Sequence, residues 1–492
     1  MAAGLAVVAL GALAPRVLAH AVLTAASPAR DAILASAPQE LTLTFSEPIS
    51  LLAGSNLDVV DEGGKSVAAN PGRVSPRSAR ELELPLRRGL GEGTYTVRYN
   101  ILSADAHVIV GSHVFGVGSG PLKAPVLTAG GGPGETSAWA VSARFLELVG
   151  LGGLLGLLTF RWLVWRPVLR NRWAVVEGEK HAAVDWASGN FWGTFAALGV
   201  VGIAAEGYLL LTKAAGALGK NVYGTLRDPA GVSQVMRETR FGDLIQIRSA
   251  LLFGVLLIAT WEFQREPIRA KQALARTGSD ASATGKRDRA DGKPASGKAR
   301  APGPAGRPIP ALLIVGFLVA CLVLISLQGH ASTAPFRALS VAVDAAHLAG
   351  VSVWLSGLAL LGATYLRLPK AVGDEGPVLS VAVLTQFSRI AFVAIATAIA
   401  TGVIRAVAQL SDPVQLWETA YGRSIIYKVA LLGPIGFLAL RNRRVVAALR
   451  GVAPPNQPTL RIVRKGALLE LALALIIVVV ASVLVGQVPG RV

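Results

Sequence analysis

Two of the six histidines in the 492-residue chain fall in one short stretch, Ser103-Ala104-Asp105-Ala106-His107-Val108-Ile109-Val110-Gly111-Ser112-His113. Asp105 and His107 offer a carboxylate and an imidazole two residues apart. A third candidate ligand, His20, lies far away in sequence, directly after an apolar leader. Cleavage after Ala19 makes His20 the first residue, so that it carries a free α-amine beside its imidazole. Two imidazoles, an amine and a carboxylate form a nitrogen-rich set completed by oxygen. Such a set suits Cu(II) in tetragonal geometry, and copper heads the affinity order of the divalent ions. His113 stands six residues beyond His107. On an unbroken strand that is roughly 20 Å, so one ion does not reach both, and His113 is the weakest ligand candidate.

The elements that must position these groups follow from pattern. Residues 1–19 hold an apolar core, Leu5 to Leu13, and end Val17-Leu18-Ala19. Small residues at the last and third-last positions fit a signal-peptidase site, although no basic residue precedes the core. From 20 to 118 the chain alternates apolar and polar residues, as in Leu41-Thr42-Leu43-Thr44-Phe45, Glu81-Leu82-Glu83-Leu84 and Tyr95-Thr96-Val97-Arg98-Tyr99. Val108 to Val117 reads as a further strand. Turn signals such as Asp61-Glu62-Gly63-Gly64 and Asn70-Pro71-Gly72 separate them. Short strands at this spacing predict a small all-β sandwich of the Ig-like or Greek-key kind. Residues 119–137 form a linker rich in Gly and Pro.

Eight apolar spans follow, near 139–164, 187–213, 241–263, 310–329, 338–366, 378–408, 421–440 and 466–487. Each approaches or exceeds the ~20 residues a helix needs to cross a bilayer. The chain thus divides into three transmembrane helices over 138–264, a basic stretch over 265–308, and five more helices over 309–488. The stretch 265–308 is rich in Ala, Gly, Pro, Arg and Lys and is expected to be a disordered cytoplasmic linker lying against anionic headgroups. If the β-domain is outside, every predicted inner end is basic: Arg161 to Arg172, the 265–308 stretch, Arg367 with Lys370, and Arg441-Asn442-Arg443-Arg444. That agrees with the positive-inside rule and predicts a multi-pass protein of the bacterial inner membrane with its β-domain on the periplasmic side.

Composition narrows the function classes. Mean hydropathy is +0.52 and 52% of residues are hydrophobic, which requires a lipid partner. The net charge of +18 sits between apolar spans without an aromatic-interleaved basic face, so nucleic acid is not an expected partner. The single cysteine, Cys321, permits neither an intrachain disulfide nor a thiolate metal site. With only Met1 and Met236, a thioether site for Cu(I) has no support either. There is no Gly-x-x-x-x-Gly-Lys-Ser/Thr signature for nucleotide binding.

Ionisable residues inside the spans form a second set. His330 closes the fourth span at its outer end, and Asp344 and His347 open the fifth. Three apart on a helix, Asp344 and His347 share a face. Glu147 and Glu206 fall in the outer halves of the first two spans. Charged groups at such depth need a partner or a task, so these five are candidates for a membrane relay that holds and passes a cation. Lys428 and Glu470 lie toward opposite sides of the bilayer, as a structural ion pair or part of a relay.

At these residues the chain resembles CopC over 20–118 and CopD over the membrane part. The CopC-like features are His20-Ala21, Ser27-Pro28-Ala29, Leu41 to Phe45 continuing Ser46-Glu47-Pro48, and Ser103-Ala104-Asp105-Ala106-His107. The CopD-like ones are Gly329-His330-Ala331, Asp344-Ala345-Ala346-His347, Trp354-Leu355-Ser356-Gly357-Leu358, Phe387-Ser388, and Tyr421-Gly422 with Lys428. The resemblance implies a fused copper resistance or copper import protein, not an enzyme. It implies Cu(II) held by His20 through imidazole and amine together with Asp105 and His107. Glu47 then stands beside the site, and periplasmic copper chaperones become candidate partners. Two alternatives remain at this level: a membrane cytochrome with His330 and His347 on haem, and a histidine-brace copper oxygenase. In the latter, Asp105 would crowd the open copper position.

Overall fold

The structure, a computed structural model, describes residues 22–51, 57–103, 108–125, 136–172, 177–291, 309–329, 331, 336–363, 376–410, 412–448 and 457–487. The N-terminal part is a sandwich of two sheets. One sheet runs β1 (Leu23–Ser27), β3 (Glu40–Phe45), β7 (Ser78–Pro85), β6 (Arg73–Ser75). The other runs β2 (Ile33–Leu34), β9 (Val108–Val117), β8 (Gly93–Ser103), β4 (Ile49–Ser50), with β5 (Leu57–Val60) also paired to β8. All pairings are antiparallel except β2 with β9. The alternation read from the sequence sets the faces: Leu41, Leu43 and Phe45 are fully buried while Thr42 and Thr44 between them are not. They meet Leu82 and Leu84 of β7 and Val97, Ile101 and Phe115 of the second sheet in one core. Gly111 is required where it stands, because a Cβ there would overlap the Tyr99 ring that covers it.

The rest is helical. Helix α1 (Ala138–Thr159) continues through a π-helical turn, Phe160–Trp165, into α2 (Arg166–Arg172). Then come α3 (Glu177–Ala217), two short helices, α4 (Val222–Leu226) and α5 (Pro229–Glu238), and α6 (Arg240–Asp291). The second group is α7 (Ile309–Leu327), α8 (Arg337–Ala363), α9 (Gly376–Gln409), α10 (Gln415–Glu418), α11 (Ala420–Ala448) and α12 (Gln457–Leu484). Gly150 and Gly202 let α1 and α3 touch backbone to backbone: a Cβ on Gly150 would stand 2.6 Å from the Gly202 Cα. Small residues at such contacts replace the hydrophobic drive that lipid removes.

Among the described residues seven helices are long and apolar enough to cross a membrane, close to the eight expected; the fourth expected span is the apolar helix α7. One expectation changes. The expected disordered linker is helical up to Asp291. Its Ala, Lys, Arg and Gln content carries enough helix propensity to extend α6 beyond the apolar span. The remainder, 292–308, lies outside the described residues.

Candidate metal-handling site

The end of the sandwich is built by two crossings of the chain. Val22 donates its N–H to the Ser46 hydroxyl at 3.0 Å, and the Ser46 N–H donates to the Val22 carbonyl at 2.9 Å. One residue on, Glu47 is buried at 7% exposure and accepts from the Ser103 hydroxyl at 3.3 Å. Ser103 ends β8 and pairs in register with Ile49 of β4. Val22, Ser46, Glu47 and Ser103 therefore form one corner. His20, Asp105 and His107 lie outside the described residues, two to four positions beyond Val22 and Ser103.

His113 sits elsewhere. It pairs with Val97 in mid-strand, is 4% exposed, and stands on the core face, five residues from the start of β9. Neither ring nitrogen makes a well-formed hydrogen bond, and burial holds its pKa below the usual histidine value, against the opposing pull of the Pro28 carbonyl. An imidazole buried neutral must charge in acid. Its stabilising contribution is complete above about pH 6.5, the ordinary histidine value. It is lost as pH falls through the lowered folded value, by at most about 1.4 kcal/mol per pH unit. Hydrogen exchange of the β9 amides, corrected for intrinsic rates, should therefore accelerate between pH 7 and 5 in the wild type and less so in His113→Leu. Equal acceleration in both would remove His113 as the cause.

The corner rests on the helices. Leu102 and Val108, flanking the segment that carries Asp105 and His107, pack in a cluster with Ala143, Leu209, Ala217, Leu218, Val235 and Phe241. The Asn100 side-chain amide donates to the Gly216 carbonyl at 3.2 Å. Helix α5, capped by Asp228, contributes Val235 to this platform.

Within the helices the five relay candidates divide. Glu147 and Glu206 both pair with Arg248, which is fully buried: its Nη1 lies 2.7 Å from Glu147 Oε1, and its Nε and Nη2 donate to Glu206 at 2.7 Å each. Nη1 also donates to Gln328 Oε1 at 2.7 Å. Asp344 instead pairs with Arg405 of α9 at 2.7 Å, and Lys428 lies within electrostatic reach of both. His347 places Nδ1 2.9 Å from the Ala398 carbonyl and 3.2 Å from the Thr401 hydroxyl. A carbonyl only accepts, so Nδ1 carries the proton and Nε2 keeps its lone pair in the neutral ring. A metal-binding imidazole is held in the same way, by a backbone acceptor at its other nitrogen. His330 lies outside the described residues, two positions past Gln328. Among the described residues no three His, Cys, Asp or Glu side chains stand close enough together to hold an ion. Glu470 accepts from Asn442, so its hydrogen bond goes to an amide. Arg248 and Arg405 are the functional side chains that the sequence reading missed. Each is a lone cation in an apolar window, the signal that could have found it.

A β-sandwich whose corner is seated on a bundle of apolar, membrane-length helices defines a multi-span membrane protein with an attached β-domain. Residues 23–118 match the CopC domain, residues 135–284 the N-terminal domain of copper resistance protein D-like proteins, and residues 381–484 copper resistance protein D. Copper transport protein CutJ of Bacillus subtilis (strain 168) is 23% identical over 441 residues, covering 87% of this chain and 69% of that one. Protein YobA of Escherichia coli (strain K12) is 34% identical over 103 residues, 21% of this chain and 82% of its own. The solved CopC of Methylosinus trichosporium OB3b is 31% identical, with 20% of this chain and 93% of that one covered and a TM-score of 0.19. The chain belongs to the copper resistance family as a fusion of a CopC domain with a CopD membrane domain.

Proposed function

We propose that the chain captures Cu(II) on the outer side of the membrane and passes it to its own helices for copper transport or resistance, without catalysing a reaction. The observation that carries this reading is the corner at Glu47. Val22 is tied to Ser46 and Ser103 to Glu47, so the segments bearing His20 and Asp105 leave from adjacent points. Two residues of chain reach at most about 7 Å, which lets the His20 imidazole and amine, the Asp105 carboxylate and the His107 imidazole close on one ion. The buried Glu47 carboxylate beside them orients that set. His347, with its Nε2 lone pair available, Asp344 in the first turns of α8 and His330, which follows α7 in the sequence, are the proposed acceptors; Glu147 and Glu206 are held by Arg248 and shape the entry field.

Two of the basic inner ends are seated on aromatic rings: Arg161 lies 4.2 Å over the Phe191 ring and Arg265 3.9 Å over Trp261. With the basic ends inward, the proposal places the sandwich in the periplasm and the helices in the inner bacterial membrane, with copper chaperones as candidate donors.

Copper titration of the purified mature chain tests the site. His20→Ala and His107→Ala are each expected to weaken Cu(II) binding at least about a hundredfold, since each removes a directly bound nitrogen. One glycine added ahead of His20 moves the amine and should weaken it too. Unchanged affinity in both alanine variants would overturn the assignment.

A further inference from the structure

A groove of about 390 Å³ opens between α9 and α11, lined by Ser388, Arg389, Phe392, Arg443, Val446 and Ala447. Its depth can be placed from neighbours. Gln386 of α9 donates to the Leu163 carbonyl at 2.9 Å, and Phe387 packs on Phe160 with ring centroids 5.9 Å apart. The groove thus stands level with the end of the first span, beside Arg161, and level with the basic run Arg441 to Arg444 of α11. That is the inner headgroup region under the orientation proposed above.

The two arginines come from different helices and face one opening. Neither Arg389 nor Arg443 forms an ion pair among the described residues. Arg443 lies 5.6 Å from the centroid of the Phe392 ring, which is 62% exposed and one turn nearer the bilayer centre. The carboxylate at this level of the neighbouring α12, Glu470, is engaged by Asn442. Two guanidinium groups on a lipid-facing wall without a carboxylate call for an anion, and guanidinium matches phosphate oxygens in pairs. An exposed aromatic just below adds an apolar wall that a soluble phosphate would not use but an acyl chain would.

We infer that this groove is a binding site for an anionic phospholipid of the inner leaflet, its phosphodiester held by Arg389, Arg443 and the Ser388 hydroxyl and its acyl chain laid on Phe392. Basic pockets between membrane helices on the cytoplasmic side select such headgroups. The bound lipid would join α9, which carries Arg405 opposite Asp344, to α11, which carries Lys428. The lipid therefore bears on the helices that flank the proposed copper acceptors, while its binding does not depend on copper.

Native mass spectrometry of the full chain in neutral detergent tests this directly, with phosphatidylglycerol as the probe. Arg389→Gln/Arg443→Gln is expected to weaken phosphatidylglycerol binding about thirtyfold, from two lost interactions of about 1 kcal/mol each. Phosphatidylcholine adducts should not change, and glycerol phosphate should not compete. Arg441→Gln, outside the groove, should behave as wild type, and Arg389→Lys/Arg443→Lys should keep most of the binding. The detergent melting temperature shows that each variant is folded. Equal phosphatidylglycerol binding by wild type and the glutamine pair would overturn the site, as would equal competition by glycerol phosphate. Because the readout contains no copper, failure here is separable from failure of the copper reading.

Discussion

Arg248→Leu is expected to cost about 3–5 kcal/mol, the largest loss of any single substitution in the helical part. Arg248 is fully buried and ties three elements of the bundle to α6: Glu147 of α1, Glu206 of α3, and Gln328 just past α7. Removing it leaves two carboxylates at 5% and 4% exposure without their cation. Each must then take a proton or draw water into the bundle. The measurement is the unfolding midpoint and monodisperse yield of the detergent-solubilised protein. The physical cause has its own check, because removing the charges of the whole group together strands none of them in the bundle. Glu147→Gln/Glu206→Gln/Arg248→Met should recover most of the lost stability. A wild-type midpoint for Arg248→Leu would show that the cluster does not hold the helices together. A triple variant as unstable as the single one would show that packing, not stranded charge, is the reason.

The same cluster marks the limit of what the sequence disclosed. The strands were legible because alternation is local: Leu41, Leu43 and Phe45 announce their face within five residues. The membrane helices were legible because apolar length and basic ends are also local. Arg248 was not, since its partners are 42, 80 and 101 residues away, and a lone arginine in an apolar window shows no sign of which carboxylate it will meet. The same holds for Asp344, which read as half of a pair with His347 on its own helix and is met instead by Arg405 from α9. The ligands proposed at His20 and Asp105 rest on residue type alone, since both lie outside the described residues. What the fold adds is the pinning of Val22 and Ser103 around Glu47. The stretch 265–291 misled because low apolar content argues against burial without arguing against a helix.

One further signal was present and went unused, and it carries the second large expectation. Along β8, Ile101 points into the sandwich core, so Leu102 points out of the sheet, where Arg98 and Asn100 precede it. An outward leucine at 2% exposure means that something covers it. Here the cover is the platform of Ala143, Ala217, Leu218, Val235 and Phe241. The sandwich thus meets the helices by the same edge that carries the proposed ligands. Capture and delivery should then be separable by breaking this contact from the helical side, away from the ligands. Leu218→Asp places an unpaired charge in the cluster, at a cost of several kcal/mol to the docked state, and the sandwich is expected to detach. Cu(II) affinity of the purified chain should stay within about twofold of wild type, because no ligand is touched. The copper content of cells bearing the variant should match that of cells lacking the protein, because under the proposed function a detached sandwich no longer presents its ion to α7 and α8. A cysteine pair across Asn100 and Gly216, whose side chain and carbonyl are 3.2 Å apart, reports docking: it should cross-link in wild type and not with Leu218→Asp. Cells that accumulate copper at the wild-type level while the cross-link is lost would show that delivery needs no docked edge.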